Sequence, residues 1–410
     1  MGHDDGDAMT RRLGLLIAVC LIAANMRITI TGVGPLLEQI AGDLGTTTVA
    51  LGALASIPLL AWAIVSPLAH DLSRRFGASR VLLWSLAALA LGTVWRSIPG
   101  ASANLWLGTV LIGAALAIAN VLMPAIIKRD FVGHVPAVMG IYTALLAGVG
   151  AVGSGIVVPI SQLRLGDEPL GWRAALLATG ALLPFAIVAW LAASRRSRAA
   201  GAARVPRTAG GTGIWRDPLA WQVAAYTGLQ SSSFYILLTW LAPFATTAGR
   251  DAVIAGIDVA VYQLAGIAGS LILPLFLRGR LRRWVPASLP ILAMLGVVGM
   301  LTATDALTLW TIPAGLSAGA SLGMALTLMA ERARDLATST ALSGMAQSVG
   351  YLLAAAGPIA FGALHALSDG WMLPFGLLLL VLTAQLLFGI GVGRDRFVLP
   401  GREPAARIGG

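Results

Sequence analysis

The stretch LGLLIAVCLIAANMRITITGVGPLL, residues 13–37, decides the class of this protein. It is long enough to cross a bilayer, which takes about 20 apolar residues in a helix. Its only charged residue is Arg27, near its middle. An arginine at that depth costs at least ~2.5–3.5 kcal/mol of insertion free energy, so it is kept where the guanidinium faces a partner or a watery cavity. The stretch therefore predicts a membrane protein with a polar pathway and Arg27 on its wall.

The composition of the whole chain is that of a protein embedded mostly in the lipid bilayer. Of the 410 residues, 57% are hydrophobic and 11% are charged, whereas a soluble protein carries about 25% charged residues. The net charge of +10 does not indicate nucleic acid, because the arginines form short clusters between apolar runs. The single cysteine, Cys20, lies inside the first run and excludes a disulfide framework.

The sequence contains no motif that indicates an enzyme or a cofactor-binding site. The four histidines lack the spacing of metal ligands. No glycine-rich phosphate-binding loop is present, which argues against transport driven by ATP. We therefore predict a protein that is not an enzyme and that holds neither a metal nor a cofactor.

Twelve apolar runs along the chain are long enough to be transmembrane helices. The eleventh is overlong, and a bend is expected near Pro358. The predicted spans are 13–37, 47–69, 80–98, 102–127, 136–161, 171–193, 219–244, 252–277, 285–304, 306–330, 337–367 and 371–393.

The distribution of basic residues predicts the orientation of the chain. If the N-terminus is cytoplasmic, 23 of the 28 lysines and arginines fall in cytoplasmic segments. Cytoplasmic loops carry such an excess in multi-pass proteins. We therefore predict a protein of the cytoplasmic (inner) membrane with both termini in the cytoplasm.

The longest cytoplasmic segment divides the spans into six and six. It is rich in Arg, Ala and Gly, as a flexible linker would be. A weak internal repeat supports the division, since Gly171-Trp172 opens the sixth span and Gly370-Trp371 opens the twelfth, 199 residues later. The predicted fold is an all-α membrane protein with two six-helix repeats. The predicted segments are a tail 1–12, a bundle 13–193, a linker 194–218, a bundle 219–393 and a tail 394–410.

The polar residues of the first span cannot all face one cavity. Asn25 and Arg27 are two residues apart and point to nearly opposite sides of a helix. We favour Arg27 as the residue that faces the cavity, because a lone cation is harder to satisfy by helix contacts than an amide. The alternative is that Arg27 binds backbone carbonyl groups of a neighbouring helix and only holds the bundle together.

Polar side chains at helical spacing mark further candidates on three other spans. Each set would line a cavity for a small polar or flat solute, or would be hydrogen-bonding contacts between helices. Arg96, at the end of the third span, is interpreted as an interfacial anchor or a rim residue that attracts anions. The candidates are Asn120 on the fourth span, Tyr226, Gln230 and Ser233 on the seventh, and Gln347 and Tyr351 on the eleventh.

Three segments resemble one group of known transporters. Residues 25–37 (NMRITITGVGPLL) are similar to the first-helix signature of the cyanate permease / 2-nitroimidazole transporter group of the major facilitator superfamily. Residues 123–131 (MPAIIKRDF) and 138–142 (VMGIY) resemble that group's fourth and fifth helices, and the second of these contains Tyr142. The resemblance implies two parallel six-helix repeats around a midplane site. The group's substrates range from a small anion to a neutral heteroaromatic drug.

Two departures from the family pattern stand out. The group often has proline after the first-helix arginine, where this chain has Ile28. The superfamily's loop motif between the second and third helices has Gly, then Asp-Arg, whereas residues 70–80 here read HDLSRRFGASR. The displaced acid puts the usual gating ion pair in doubt. The gating candidates are Asp71, Arg74, Arg75 and Arg80.

Together these observations predict a secondary active transporter that works by alternating access. Arg27 would bind a small anionic or strongly accepting solute, helped by Asn120, Tyr142, Gln230 and Gln347. The first alternative is a proton-coupled exporter of small heteroaromatic drugs, in which Arg27 is structural. The second is a non-transporting sensor or structural subunit of the membrane.

The expected partners are a small-molecule substrate, the lipid bilayer and, as a candidate coupling ion, the proton. We expect a monomer that binds no nucleic acid.

Overall fold

A computed structural model describes residues 2–131, 134–197, 213–277, 280–334 and 336–399. Most of the predicted linker and the last part of the predicted C-terminal tail lie outside these ranges. The described residues are almost entirely helical. The helices are α1 Gly2–Thr31, α2 Leu37–Leu44, α3 Thr48–Phe76, α4 Ala78–Ser97, α5 Ala103–Asp130, α6 Val135–Gln162, α7 Gly171–Ala178, α8 Leu183–Ser197, α9 Pro218–Thr247, α10 Ala252–Phe276, α11 Val285–Thr302, α12 Leu307–Glu331, α13 Leu336–Ser368 and α14 Met372–Val392.

The predicted all-α membrane fold is confirmed. In the described ranges, 10 helical segments are long and apolar enough to cross a membrane. The other two predicted spans correspond to α3 and α9, and α9 is long enough but more polar along Gln230–Ser233. One small element was not predicted. Strands Arg164–Leu165 (β1) and Glu168–Pro169 (β2) pair antiparallel around a turn in which Gly166 has φ +73°.

The first and sixth spans are each interrupted. Between α1 and α2, Pro35 has no backbone N–H to donate, and a short 3₁₀ turn spans Gly34–Leu36. Between α7 and α8, residues 179–182 form turns, and the amide of Gly180 donates to the Leu177 carbonyl at 2.9 Å. Such breaks free backbone groups and small residues for contacts with neighbouring helices.

The chain forms two compact units, and α9 is divided between them. Unit 1 contains residues 1–204 and 238–260, and unit 2 contains residues 205–237 and 261–410. In unit 1, buried residues of α2, α3, α5, α6, α7 and the turn between α1 and α2 form an apolar core that includes Leu36 and Trp172. The core of unit 2 includes the fully buried Tyr226.

Small residues allow close packing of α1 against α6 in unit 1. A Cβ atom at Gly153 would lie 2.5 Å from the Ile28 side chain, so only glycine fits there. The Thr31 hydroxyl donates to the Gly150 carbonyl at 2.8 Å, and the Ser154 hydroxyl donates to the Thr31 carbonyl at 3.2 Å. These contacts fix the part of α1 that carries the predicted site.

The chain after α14 folds back onto unit 2. This segment, Arg394–Leu399, is called the tail strap below. Val398 is 1% exposed, and its amide donates to the Arg332 carbonyl at 2.9 Å. The Arg332 guanidinium is buried and donates to the Val392 carbonyl at 3.1 Å. The first residues of the predicted C-terminal tail are therefore an integrated part of unit 2.

Candidate functional site

The two polar residues of α1 lie on different sides of the helix. Asn25 is 1% exposed, and its side-chain amide donates to the Leu21 carbonyl at 2.7 Å. Arg27 is half-buried and shares its side of α1 with the half-buried Cys20 and the exposed Ile17. Asn25 and Arg27 thus differ in burial on opposite sides of α1, although Ala24 and Thr31, which share the side of Arg27, are also buried. The surroundings that Arg27 faces in the membrane stay a prediction.

Two further predicted residues lie on helices that pack against α1. Helices α5 and α6 contact α1 and each other in unit 1. Asn120 is half-buried on α5, four residues before Pro124, which lies inside the same helix. Tyr142 on α6 is 3% exposed, and its hydroxyl lies 3.6 Å from the Met26 sulfur. Tyr142 thus packs on the Met26 side of α1, whereas Asn120 is only half-buried.

The polar stripe of α9 faces the interior of unit 2. Tyr226, Gln230 and Ser233 are all at most 8% exposed. The Tyr226 hydroxyl lies beside Ser321 and Gln385 of the same unit. A small cavity beside this stripe leaves about 10 Å³ for the centre of a water molecule, which is room for about one water. It is lined by Ser233, Leu237, Tyr262, Ala293, Ala314, Ser317, Ala318, Ser321, Leu378, Leu382 and Gln385. Contact of this stripe with solute stays a prediction.

The two candidates on α13 are accessible to different degrees. Gln347 is exposed and Tyr351 is half-buried. Both lie on a side of α13 that the rest of unit 2 covers incompletely, whereas Gly350 between them packs close to Thr227 of α9. Their accessibility is compatible with a solute contact, and that role also stays a prediction.

The gating candidates are only partly described. Asp71 and Arg74 lie in α3, but their side chains are outside the described part of the structure. Arg75 and Arg80 are exposed, and neither takes part in an ion pair among the described side chains. Near Arg80, the hydrogen bond from Arg129 to the neighbouring Asp130 raises the pKa of the Arg129 guanidinium. The predicted gating role remains untested.

Arg96 is buried, and its interpretation as a rim or interfacial residue was wrong. It is 1% exposed, and its guanidinium donates to the Thr29 carbonyl at 2.8 Å and to the Thr179 hydroxyl at 3.0 Å. Glycines allow α4 to approach α5 closely at Arg96, because a Cβ atom at Gly108 would lie 2.5 Å from the Arg96 amide nitrogen. A Cβ atom at Gly92 would lie 2.9 Å from the Gly108 carbonyl oxygen, so α4 also packs closely on α5 at this position. These two glycines were the available signal that α4 packs deeply against α5.

Two titratable residues of the spans have structural partners. Asp258, the seventh residue of α10, is fully buried and pairs with Arg250 at 3.0 Å. The His365 ring stacks on Trp371 with centroids 4.1 Å apart, and its Nδ1 lies 3.0 Å from the Gly370 carbonyl. These contacts account for both side chains within the protein.

The series of apolar helices agrees with a family match that covers most of the chain. The model of the Major Facilitator Superfamily matches residues 15–358. The chain belongs to this superfamily. It is therefore a multi-pass membrane protein and a secondary transporter, as the sequence predicts.

Relatives of this major facilitator protein include both members that the predicted resemblance names. The chain is 36% identical over 386 residues to the 2-nitroimidazole transporter of Escherichia coli (strain K12), covering 94% of this chain and 96% of the relative. It is 27% identical over 387 residues to the cyanate transport protein CynX of the same organism, covering 93% of this chain and 98% of the relative. The predicted family resemblance is confirmed.

Solved structures show the same fold. A bacterial homolog of the human lysosomal transporter Spinster, in an inward-facing and unoccupied conformation, matches with a TM-score of 0.77. The match covers 94% of this chain and 97% of that chain at 15% identity. At this identity the comparison supports the fold of the major facilitator protein and does not address its substrate.

Proposed function

We propose that this transporter moves a small planar anion across the cytoplasmic membrane, with Arg27 as the residue that binds it. The observation that carries the proposal is the position of Arg27 on α1. It is half-buried near the middle of the first span, while Asn25 and Thr29 are buried on the other side of the helix. A cation at the middle of a transmembrane helix is costly, and such residues mark substrate pathways.

The chemistry of the guanidinium favours planar anions. Arginine presents a rigid fork of donors that matches a carboxylate with two parallel hydrogen bonds. Asn120, on an adjacent helix of unit 1 and also half-buried, offers a side-chain amide as a second donor. The name of the relative CynX, a cyanate transport protein, supports a small anion as the substrate class.

Uptake into proteoliposomes tests the role of Arg27. We expect wild-type protein to accumulate labelled cyanate or benzoate, and Arg27→Ala to lower the apparent affinity by at least about tenfold, the loss of one charged hydrogen-bonding contact. Arg27→Lys should lie between the two, since a point charge replaces the planar fork. Arg164→Ala, which removes an exposed arginine of the β1–β2 hairpin, is the matched control. Unchanged affinity in Arg27→Ala would overturn the proposal.

A second candidate is the proton-coupled export of small heteroaromatic compounds such as nitroimidazoles. Its support is the 36% identity to the 2-nitroimidazole transporter over nearly the whole chain. Arg27 would then hold the helices together without contacting the solute. A deletion strain complemented with wild type or Arg27→Ala separates the candidates by its resistance to 2-nitroimidazole. Equal resistance from both forms, with no anion uptake, would favour export.

We also propose that the protein works as a monomer in the inner membrane, with both termini in the cytoplasm. The orientation is supported by the 23 of 28 basic residues that fall in segments that it makes cytoplasmic. The six-helix bundles are proposed to span 13–193 and 219–393. Fusions of a reporter that is active only in the cytoplasm, placed after Arg164 or after Gly410, test the orientation. Activity at the first position or silence at the second would contradict it.

A further inference from the structure

Arg96 is a buried cation surrounded by neutral groups. Its two terminal nitrogens donate to the Thr29 carbonyl at 2.8 Å and to the Thr179 hydroxyl at 3.0 Å. Its Nε has no hydrogen-bonding partner, and no described carboxylate lies within ion-pair distance of the guanidinium. The positive charge of Arg96 is therefore not neutralised by an acid among the described residues of unit 1.

The charge is also held in place. Arg96 reaches between α1 and the break that separates α7 from α8, where Thr179 lies. Its backbone packs so closely against Gly108 that even a methyl group at Gly108 would overlap it, so the Arg96 backbone cannot move further toward α5. A fixed charge that is shielded from water acts over a longer distance than a surface charge, which water and salt screen.

The position of Arg96 relative to Arg27 follows from α1. Arg96 binds the carbonyl of Thr29, two residues after Arg27, a rise of about 3 Å along the helix. The side chain of Arg27 points to the opposite side of α1 from that of Thr29. Because a helix with its side chains is about 10–12 Å across, Arg96 lies behind the helix that presents Arg27, at nearly the same level.

We propose that Arg96 determines the charge specificity of the site by supplying a second positive charge behind α1. It does not touch the solute; it makes the potential at Arg27 more positive and so favours an anion over a neutral solute of the same shape. This inference rests on the proposed function of Arg27 as the anion-binding residue.

A carboxylate placed beside Arg96 tests the proposal without removing the arginine. Thr179→Asp puts an acid where the Thr179 hydroxyl now accepts from Arg96, and Thr179→Asn is the matched neutral variant. The probes are benzoate and its neutral amide, benzamide, and the measurement is the Kd for purified protein.

We expect Thr179→Asp to weaken benzoate binding by about tenfold, the effect of a unit charge about 12 Å away at an effective dielectric constant of about 20. Benzamide binding should change by less than about twofold in both variants, because a neutral solute has no net charge for this potential to act on.

A second pair of variants keeps the test decisive if Thr179→Asp does not fold. Arg96→Lys preserves the charge and should retain benzoate binding, whereas Arg96→Gln should lower it as Thr179→Asp does. Equal loss for benzoate and benzamide, or equal behaviour of Lys and Gln at position 96, would overturn the proposal and leave Arg96 as a purely structural link. Arg27→Ala separates the two claims. If that variant binds benzoate normally, or if wild type binds neither benzoate nor cyanate, the proposed function itself fails.

Discussion

The carboxylate of Asp217 accepts a hydrogen bond from the backbone amide of Leu399 at 2.7 Å, although the two residues are 182 positions apart. The other carboxylate oxygen of Asp217 accepts from the amides of Leu219 and Ala220 at 2.8 and 3.1 Å. One side chain thus caps the first turn of α9 and holds the end of the tail strap. Both interactions lie within unit 2.

Replacing Asp217 should therefore destabilise the protein more than the loss of an ordinary helix cap. We expect Asp217→Ala to lower the free energy of unfolding by ~2–3 kcal/mol, since a cap contributes about 1 kcal/mol and a hydrogen bond to a charged group about 1.5–3 kcal/mol. Asp217→Asn, which keeps an acceptor for the cap, should cost roughly half as much. Thermal unfolding of the detergent-solubilised protein measures both. Identical unfolding temperatures for the Ala and Asn variants would contradict the double role of this carboxylate.

The tail strap should stabilise unit 2 through Val398 and not through its ion pair. Arg332 and Asp395 lie 3.2 Å apart, but the Asp395 side chain is 92% exposed, and exposed pairs contribute at most about 1 kcal/mol. Burial of a valine side chain contributes about 1.5–3 kcal/mol. Truncation after Gly393 should lower the unfolding temperature clearly, whereas truncation after Leu399 should not. Asp395→Asn is expected to unfold like the wild type, and a large effect of that variant would show that the ion pair dominates.

Two facing glycines of unit 2 should respond very differently to alanine. A Cβ atom at Gly319 of α12 would lie 1.7 Å from the Gly266 carbonyl oxygen, so α10 and α12 would have to separate. A Cβ atom at Gly266 would meet its nearest atom at 3.5 Å, an ordinary contact. Gly319→Ala should lower the yield of folded protein strongly, with a cost above the ~1–3 kcal/mol of typical overpacking. Gly266→Ala should be tolerated, and size-exclusion chromatography of both variants provides the comparison.

Trp240 and Gly52 form a similar contact in unit 1. A Cβ atom at Gly52 of α3 would lie 2.3 Å from the Trp240 ring, which is 1% exposed. Gly52→Ala should lower the free energy of unfolding by ~1–3 kcal/mol, and adding Trp240→Phe should restore part of it. Gly42→Ala is the control, because no atom lies within 4 Å of the added methyl group. Additive effects of the two changes at positions 52 and 240 would show that the residues are not coupled.

The fold could be predicted from the sequence because lipid imposes a strong rule. Each apolar run of about 20 residues must be a helix whose backbone groups bond internally. Breaks within a span are harder to predict. Pro35 signals the break between α1 and α2, whereas the turns at residues 179–182 contain no proline, and Arg96 contacts Thr179 there from another helix. The tail strap was missed for a similar reason, since Asp217 binds a backbone amide that has no sequence signal.

The candidate site was predicted less completely than the fold. Helical spacing shows which residues share a face, so the separation of Asn25 from Arg27 followed from the sequence. Spacing does not show which neighbour a face meets. The stripe with Tyr226 and Ser233 therefore predicted either the wall of a solute cavity or contacts between helices, and Tyr226 lies beside Ser321 and Gln385 within unit 2. The depth of Arg96 was misjudged because hydropathy places a terminal arginine at the interface by default.

The division of α9 limits how this chain can be cut. Residues 238–260 belong to the same compact unit as the first 204 residues. A fragment that ends within 198–212 would lack the partners of Gly34 and Gly52, whose close neighbours are the Leu238 carbonyl and the Trp240 ring. In such a fragment, the helix surfaces around these two glycines would no longer be covered by residues 238–260. If the transporter were split there, the two fragments would therefore have to be produced in the same cell. The second fragment contains residues 238–260, which complete the compact unit formed by the first.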